Sequence, residues 1–182
     1  MVDRLRTEYD VEVDWLPFFL HPEIPPEGMP LPDYLRDRMS SSTGHLQEMA
    51  HEGGLAMTTP EVISYSRLAL EATEYARQHG RLEAFHRIVF RKYYGEGQDI
   101  GRWPVLQAAA EEAGLNSEGM RAAVEAGTFA AVIEGHIRQA VEWGITAVPT
   151  YIVGDQYEIV GAQPYSVFEQ VMDRLGARPK VV

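Results

Sequence analysis

The chain has 182 residues, long enough for one domain or for a domain carrying a large insertion. Its 27 Asp and Glu outweigh 16 Lys and Arg, and the formal charge of −11 argues against phosphate backbones and anionic lipid as main partners. There is no cysteine, so these residues supply no disulfide, no thiolate nucleophile and no sulfur ligand for a metal.

No apolar run approaches the roughly 20 residues that span a bilayer. The opening MVDRLRTEYD lacks the apolar stretch of a secretory leader, which points to a cytoplasmic location. Residues 1–9 have the pattern of closing helical turns, with apolar Leu5 and Tyr9 four apart among Arg4, Arg6 and Glu8. VEVDWLPFFL follows. Its alternation puts Val11, Val13 and Trp15 on one face and Glu12 and Asp14 on the other, predicting a strand that Pro17 ends. HPEIPPEGMPLP has no period and predicts an extended loop. Pro32 then opens a short helix over residues 33–39, broken by SSSTG.

A second helical stretch near residues 45–52 stops at Gly53 and Gly54. Thr58 with Glu61, or Thr59 before Pro60, is the expected cap of the helix in VISYSRLALEATEYARQHG. On it Tyr65, Leu68, Ala69, Ala72 and Ala76 share one face, and Gly80 is the stop. Leu82, Phe85 and Val89 mark a helix over residues 82–94, and GEGQDIG is a loop. Helices over residues 103–113 and 117–126 end at Gly114 and Gly127. Thr128 caps another, whose apolar set includes Phe129, Val132, Ile133, Ile137 and Val141, with Gly144 as its left-handed terminus.

The texture then changes. Residues 150–153 and 157–160 are β-rich runs joined by Gly154, Asp155 and Gln156, which predicts a hairpin. A last helix opens at Pro164 or Tyr165 and turns Val167, Phe168, Val171 and Leu175 inward. A strand near each end with helices between them predicts an α/β sheet with a helical insertion.

The usual catalytic signatures are missing. His45, Glu48 and His51 at i, i+3 and i+6 splay the two histidines about 120° apart on a helix rather than converging on a metal. No HExxH or GxSxG occurs, and Gly95-Glu96-Gly97 sets an acid where a phosphate would lie. Ser64 and Ser66 read as helix-surface residues or as back-bonding hydroxyls. His86, beside Phe85 and Val89, is either a satisfied core histidine or a substrate contact.

Four stretches nonetheless carry a resemblance: VEVDWLPFFLHPEIPPEG at 11–28, SRLALEATEYARQHGRLEAFHRIVFRKYYGEGQDIG at 66–101, GITAVPTYIVGDQYEIVGAQP at 144–164 and the closing YSVFEQVMDRLG. Together they resemble the DsbA-like branch of the thioredoxin superfamily, with the FrnE-type cytoplasmic proteins as nearest relatives. Those are cousins of the kappa-class glutathione transferases and the 2-hydroxychromene-2-carboxylate isomerases. The third stretch is the most specific, since a VPT opening a strand, a hairpin and GAQP characterise that branch.

The resemblance implies a thioredoxin-like α/β fold incomplete at its N-terminus, lacking the first strand. Residues 1–30 with 145–182 would form the sheet domain and residues 31–144 the helical insertion. It further implies that Pro149 is cis and that Val148, Pro149 and Thr150 hold substrate, with Trp15, Phe18, His21 and His86 as further candidates around the cleft. An X–Pro bond can take that form at about 0.5–1 kcal/mol, and proline is tolerated at the first residue of a strand. The implied activity is thiol–disulfide oxidoreduction on a protein thiol or disulfide, or use of a glutathione-like ligand, with no other cofactor and no metal.

The departures are as informative. Relatives carry a first strand and then CxxC, or a Ser version in the isomerases, at the start of the first helix. Here the chain opens where that helix should be ending. The expectation is a shortened version of a longer protein, or else a cysteine-free relative whose gap is closed by self-association into a homodimer. Neither runs a dithiol cycle. A redox-dead peptide- or glutathione-binding protein and a glutathione-dependent isomerase are the other readings.

Overall fold

The computed structural model describes residues 1–33 and 47–180. The helix expected at 33–39, the SSSTG break and His45 lie outside them, apart from Asp33. In chain order the elements are α1 (Val2–Glu8), β1 (Met29–Pro30), β2 (Val62–Ile63), α2 (Arg67–Gln78) and α3 (Leu82–Phe90), which one π-helical turn (Arg91–Gly95) continues. Then come α4 (Trp103–Glu112), α5 (Ser117–Glu125), α6 (Ala130–Glu142), β3 (Thr150–Val153), β4 (Tyr157–Val160) and α7 (Tyr165–Arg174). Residues 47–52 are helical as well. The chain divides into two compact units, Met1–Leu20 with His136–Val182, and His21–Gly135.

The second unit is a helical body. Ala72, Ala76, Phe85, Leu106, Ala109, Ala110 and Met120 are wholly buried in one cluster. Small alanines on α2 and α4 let helix backbones approach, and Phe85 and Met120 fill the space between. Acids buried on α2 are neutralised within their own helix, Glu71 by Arg67 Nε at 2.9 Å and Glu74 by Arg77 Nε at 3.1 Å. Gly80, at φ 66°, ends α2 as expected.

The start of α2 differs from the sequence expectation. The helix begins at Arg67, and Val62 and Ile63 instead pair as β2 with Pro30 and Met29. Thr58 does not cap a helix, because its hydroxyl donates to the carbonyl of Tyr94 at 2.9 Å. β-Branched Val62 and Ile63 suit a strand, and a strand needs only a partner. That partner approaches through Gly28. A Cβ there would stand 3.0 Å from Val62 Cγ1 and 3.2 Å from the carbonyl oxygen of Ile63, and its φ of +79° favours glycine independently. Tyr93 secures the same strand by donating its hydroxyl to the carbonyl of Val62 at 3.1 Å. Burial pushes that phenol up to about 12.

The first unit is built on the hairpin. β3 and β4 run antiparallel with Thr150 opposite Val160 and Val153 opposite Tyr157. Leu5, Tyr9, Ile159, Phe168, Val171 and Met172 form its core, with Tyr151 edge-on to Phe168 at 4.9 Å between ring centres. Arg4 ties α1 to α7: its Nε donates to Glu8 Oε1 at 2.6 Å, its guanidinium lies 3.7 Å from the Tyr165 ring centre, and Tyr165 donates to Glu8 Oε2 at 2.8 Å.

Residues 11–15 are the main correction. They form no strand. The alternation survives, with Val11, Val13 and Trp15 half-buried and Glu12 and Asp14 exposed. A strand also requires a neighbour for its amides, and among the described residues none runs alongside. Among the described residues, a bridge of Tyr9 with Pro179 precedes this stretch.

Candidate functional site

The Val148–Pro149 bond is cis, as the family resemblance implied. Two hydrogen bonds pin the segment around it. Thr150 Oγ1 donates to the carbonyl of Ala147 at 2.8 Å, closing the loop on itself. Gly161 N–H donates to the carbonyl of Pro149 at 2.7 Å, fastening the loop to the far end of β4. A proline suits this position because the missing N–H belongs to the first ladder pair, where Gly161 supplies the only bond required.

That bond also fixes which amides are free. Hydrogen-bonded and non-bonded pairs alternate in an antiparallel ladder. With Pro149 and Gly161 bonded, Tyr151 with Ile159 and Val153 with Tyr157 are the bonded pairs. Thr150 and Ile152 therefore turn their N–H and C=O groups away from β4. β3 has no second partner among the described strands, so those groups form an open edge. Val148, 47% exposed, adds an N–H and a C=O that bond to nothing among the described residues. Ile152 is 41% exposed on the same edge. Residues 145–153 carry no charge in a chain of net −11, so the edge is electrically neutral.

The expected site residues divide between the two units. Val148, Pro149 and Thr150 form one segment, and Trp15 and Phe18 lie half-buried in the same unit. His21 and His86 belong to the other. His21 is exposed, with Nδ1 3.0 Å from Glu23 Oε1. His86 stacks on Phe90 at 4.5 Å, and burial holds its imidazole below the usual histidine range. Ile152 is the edge residue that sequence reading missed; its place at an even step from Thr150 in a strand would have singled it out. No group of three or more His, Asp or Glu among the described residues could hold a metal ion. None of the described helices is long and apolar enough to cross a membrane.

A sheet hairpin entered through a cis-proline loop, backed by a C-terminal helix and accompanied by a helical body, is the layout of a thioredoxin-like protein with an insertion. The DSBA-like thioredoxin domain family matches residues 1–173, and the chain belongs to that family. Among the described residues no strand precedes α1, and the 182 residues include no cysteine. Among relatives, YwbO of Bacillus subtilis (strain 168), described as an uncharacterized protein, is 34% identical over 166 residues, covering 90% of this chain and 82% of its own. A probable DsbA oxidoreductase from Streptomyces coelicolor superposes with a TM-score of 0.78 at 23% identity, covering 90% of this chain and 75% of the other. A 2-hydroxychromene-2-carboxylate isomerase superposes with a TM-score of 0.77 at 18% identity, covering 96% and 86%.

Proposed function

We propose that this chain carries the substrate-holding half of a FrnE-type thiol–disulfide oxidoreductase, acting on an extended peptide through the open edge from Val148 to Ile152. In this reading residues 1–30 with 145–182 form the binding domain and residues 31–144 its insertion. The observation that carries it is the outward set of amides on Val148, Thr150 and Ile152. Extended peptides add to such an edge by main-chain hydrogen bonds, and neighbouring side chains set the preference. Trp15 and Phe18 supply apolar surface in the same unit. The thiol–disulfide exchange itself needs sulfur, which these residues do not contribute.

Glutathione is the weaker ligand in this reading. It is a tripeptide with two carboxylates, and residues 145–153 offer no cation to meet them. Similarity to the isomerase, at 18% identity, supports the fold alone. The edge is also where a second copy would add if the chain forms a homodimer, with the protein acting in the cytoplasm.

The test is amide hydrogen exchange with three probes: an extended cysteine-containing peptide, its serine counterpart and glutathione. Slowed exchange at Thr150 and Ile152 with both peptides, and none with glutathione, is the expected result. Protection by glutathione alone, or none by any probe, overturns the proposal. Protection that grows with protein concentration in the absence of probe assigns the edge to a second copy instead.

A further inference from the structure

The hairpin has another open edge, on β4, and it is built differently. The same alternation of bonded and non-bonded pairs turns the N–H and C=O of Glu158 and Val160 away from β3. One of these four groups is already used, the Val160 carbonyl, which accepts from Gln163 Nε2 at 2.8 Å. Beside this edge runs α7, and between strand and helix lies a groove of about 410 Å³. Its floor is Ile159 and Val171; its helix wall is Val167, Gln170 and Arg174. Four residues of strand and eight of helix give walls of similar length, about 13 Å and about 12 Å.

The groove has a direction. Gly154 at the hairpin tip packs against Leu175, where an added Cβ would lie 3.0 Å from Cδ2. Arg174 is therefore at the tip end, and Gln163 closes the opposite end. Arg174 is exposed and makes no ion pair among the described residues. Glu158 also lines the groove, but it makes no ion pair with Arg174. A guanidinium left unpaired in a chain of net −11, one helical turn from the Gln170 amide, selects for an acid.

We propose that the β4–α7 groove is a second strand-addition site, which takes an extended peptide bearing an aspartate or glutamate at the hairpin-tip end and apolar residues against Val167 and Val160. Main-chain bonds to Glu158 and to Val160 N–H supply register, and Arg174 supplies the choice of partner. A second copy of the chain is a poorer occupant. Edge-to-edge pairing of two β4 strands places Glu158 of each copy on or near the other, between two molecules of the same negative charge.

The probe is a fluorescein-labelled peptide of alternating threonine and valine ending in aspartate, with a lysine-ended partner as control. Anisotropy should show binding of the aspartate probe and about tenfold weaker binding of the lysine probe at low salt. Arg174→Glu should reverse that order, a charge swap that misfolding cannot imitate. Exchange should slow at the amides of Glu158 and Val160 and stay unchanged at Thr150 and Ile152, which separates this groove from the β3 edge. Val160→Pro removes an outward N–H without breaking the ladder and should weaken the aspartate probe. Equal affinity for both probes, no reversal in Arg174→Glu, or protection confined to Thr150 and Ile152 each overturns the proposal. So does sedimentation showing a dimer that the aspartate probe leaves intact while Glu158 and Val160 are protected without it.

Discussion

Phe168 is the residue on which the hairpin's support depends most directly. It is 2% exposed on α7 and meets Tyr151 of β3 edge-on at 4.9 Å. Among the described residues six buried apolar side chains form this unit's core cluster, so one aromatic ring is a large share of it. Truncating a buried Phe to Ala costs about 3–5 kcal/mol, and the lost edge-to-face pair falls within that total. Phe168→Ala should therefore lose about 4 kcal/mol, equivalent to a fall in Tm of about 8–16 °C for a chain of this size. Phe168→Leu, which keeps most of the volume, should lose under about 1.5 kcal/mol. Urea unfolding followed at the β3 and α7 amides provides the measurement. A loss below about 1.5 kcal/mol for the alanine variant would refute the claim that this ring holds β3 to its helix.

Gly28→Ala should cost about 2 kcal/mol, since the new methyl meets Val62 and the Ile63 carbonyl and φ is +79°. Gly114→Ala, at φ +74° with nothing within 4 Å, should cost only about 1 kcal/mol, and urea midpoints compare the two. Hydrogen bonds from Arg4 and then Tyr165 hold the Glu8 carboxyl below its ordinary 4.5, so its stabilisation is complete above that value and is lost as pH falls through the depressed one. The stability gap between the native chain and Glu8→Gln should thus be constant at neutral pH and close on acidification; a gap that widens in acid contradicts the sign. Burial first, and Arg87 after it, hold His86 below 6.5 against the opposing charge of Glu83, so stability should decline as pH drops below 6.5. His86→Phe should flatten that decline in thermal melts. Tyr93, raised to about 12, should show no tyrosinate absorbance in the native-minus-Tyr93→Phe difference spectrum until above about pH 11.

Local chemistry made much of this fold readable. Helices over 103–112, 117–125 and 165–174 follow their apolar period, and the hairpin follows two β-rich runs around Gly154-Asp155-Gln156. Asp155 takes the left-handed φ of 55° that such a turn requires. The misses share a cause. Val62 and Ile63 became a strand because Gly28 let the 29–30 backbone come close, and residues 11–15 formed no strand because no described strand lies beside them. Partner availability is non-local, and a one-dimensional pattern does not contain it. The same holds for the site. Val148, Pro149 and Thr150 were marked by their own motif, whereas the role of Ile152 depends on the bond from Gly161 to Pro149, twelve residues apart.

The energetics of the open β3 edge indicate what kind of occupant suits it. Each main-chain hydrogen bond gained from water is worth about 1 kcal/mol net. Four such bonds along Val148, Thr150 and Ile152 give about 4 kcal/mol before any entropic cost, which is a dissociation constant near 1 mM. Covering Val148 and Ile152 adds about 1.5–3 kcal/mol for each side chain that is fully desolvated, less in proportion to the 47% and 41% exposure available to lose. The sum reaches micromolar strength only when the occupant's own side chains are apolar at alternate positions. Such an edge holds a passing chain in register and releases it quickly, the behaviour a substrate needs and a permanent subunit does not. A tightly bound occupant would have to gain its energy elsewhere, through a larger covered area than this four-residue strand presents.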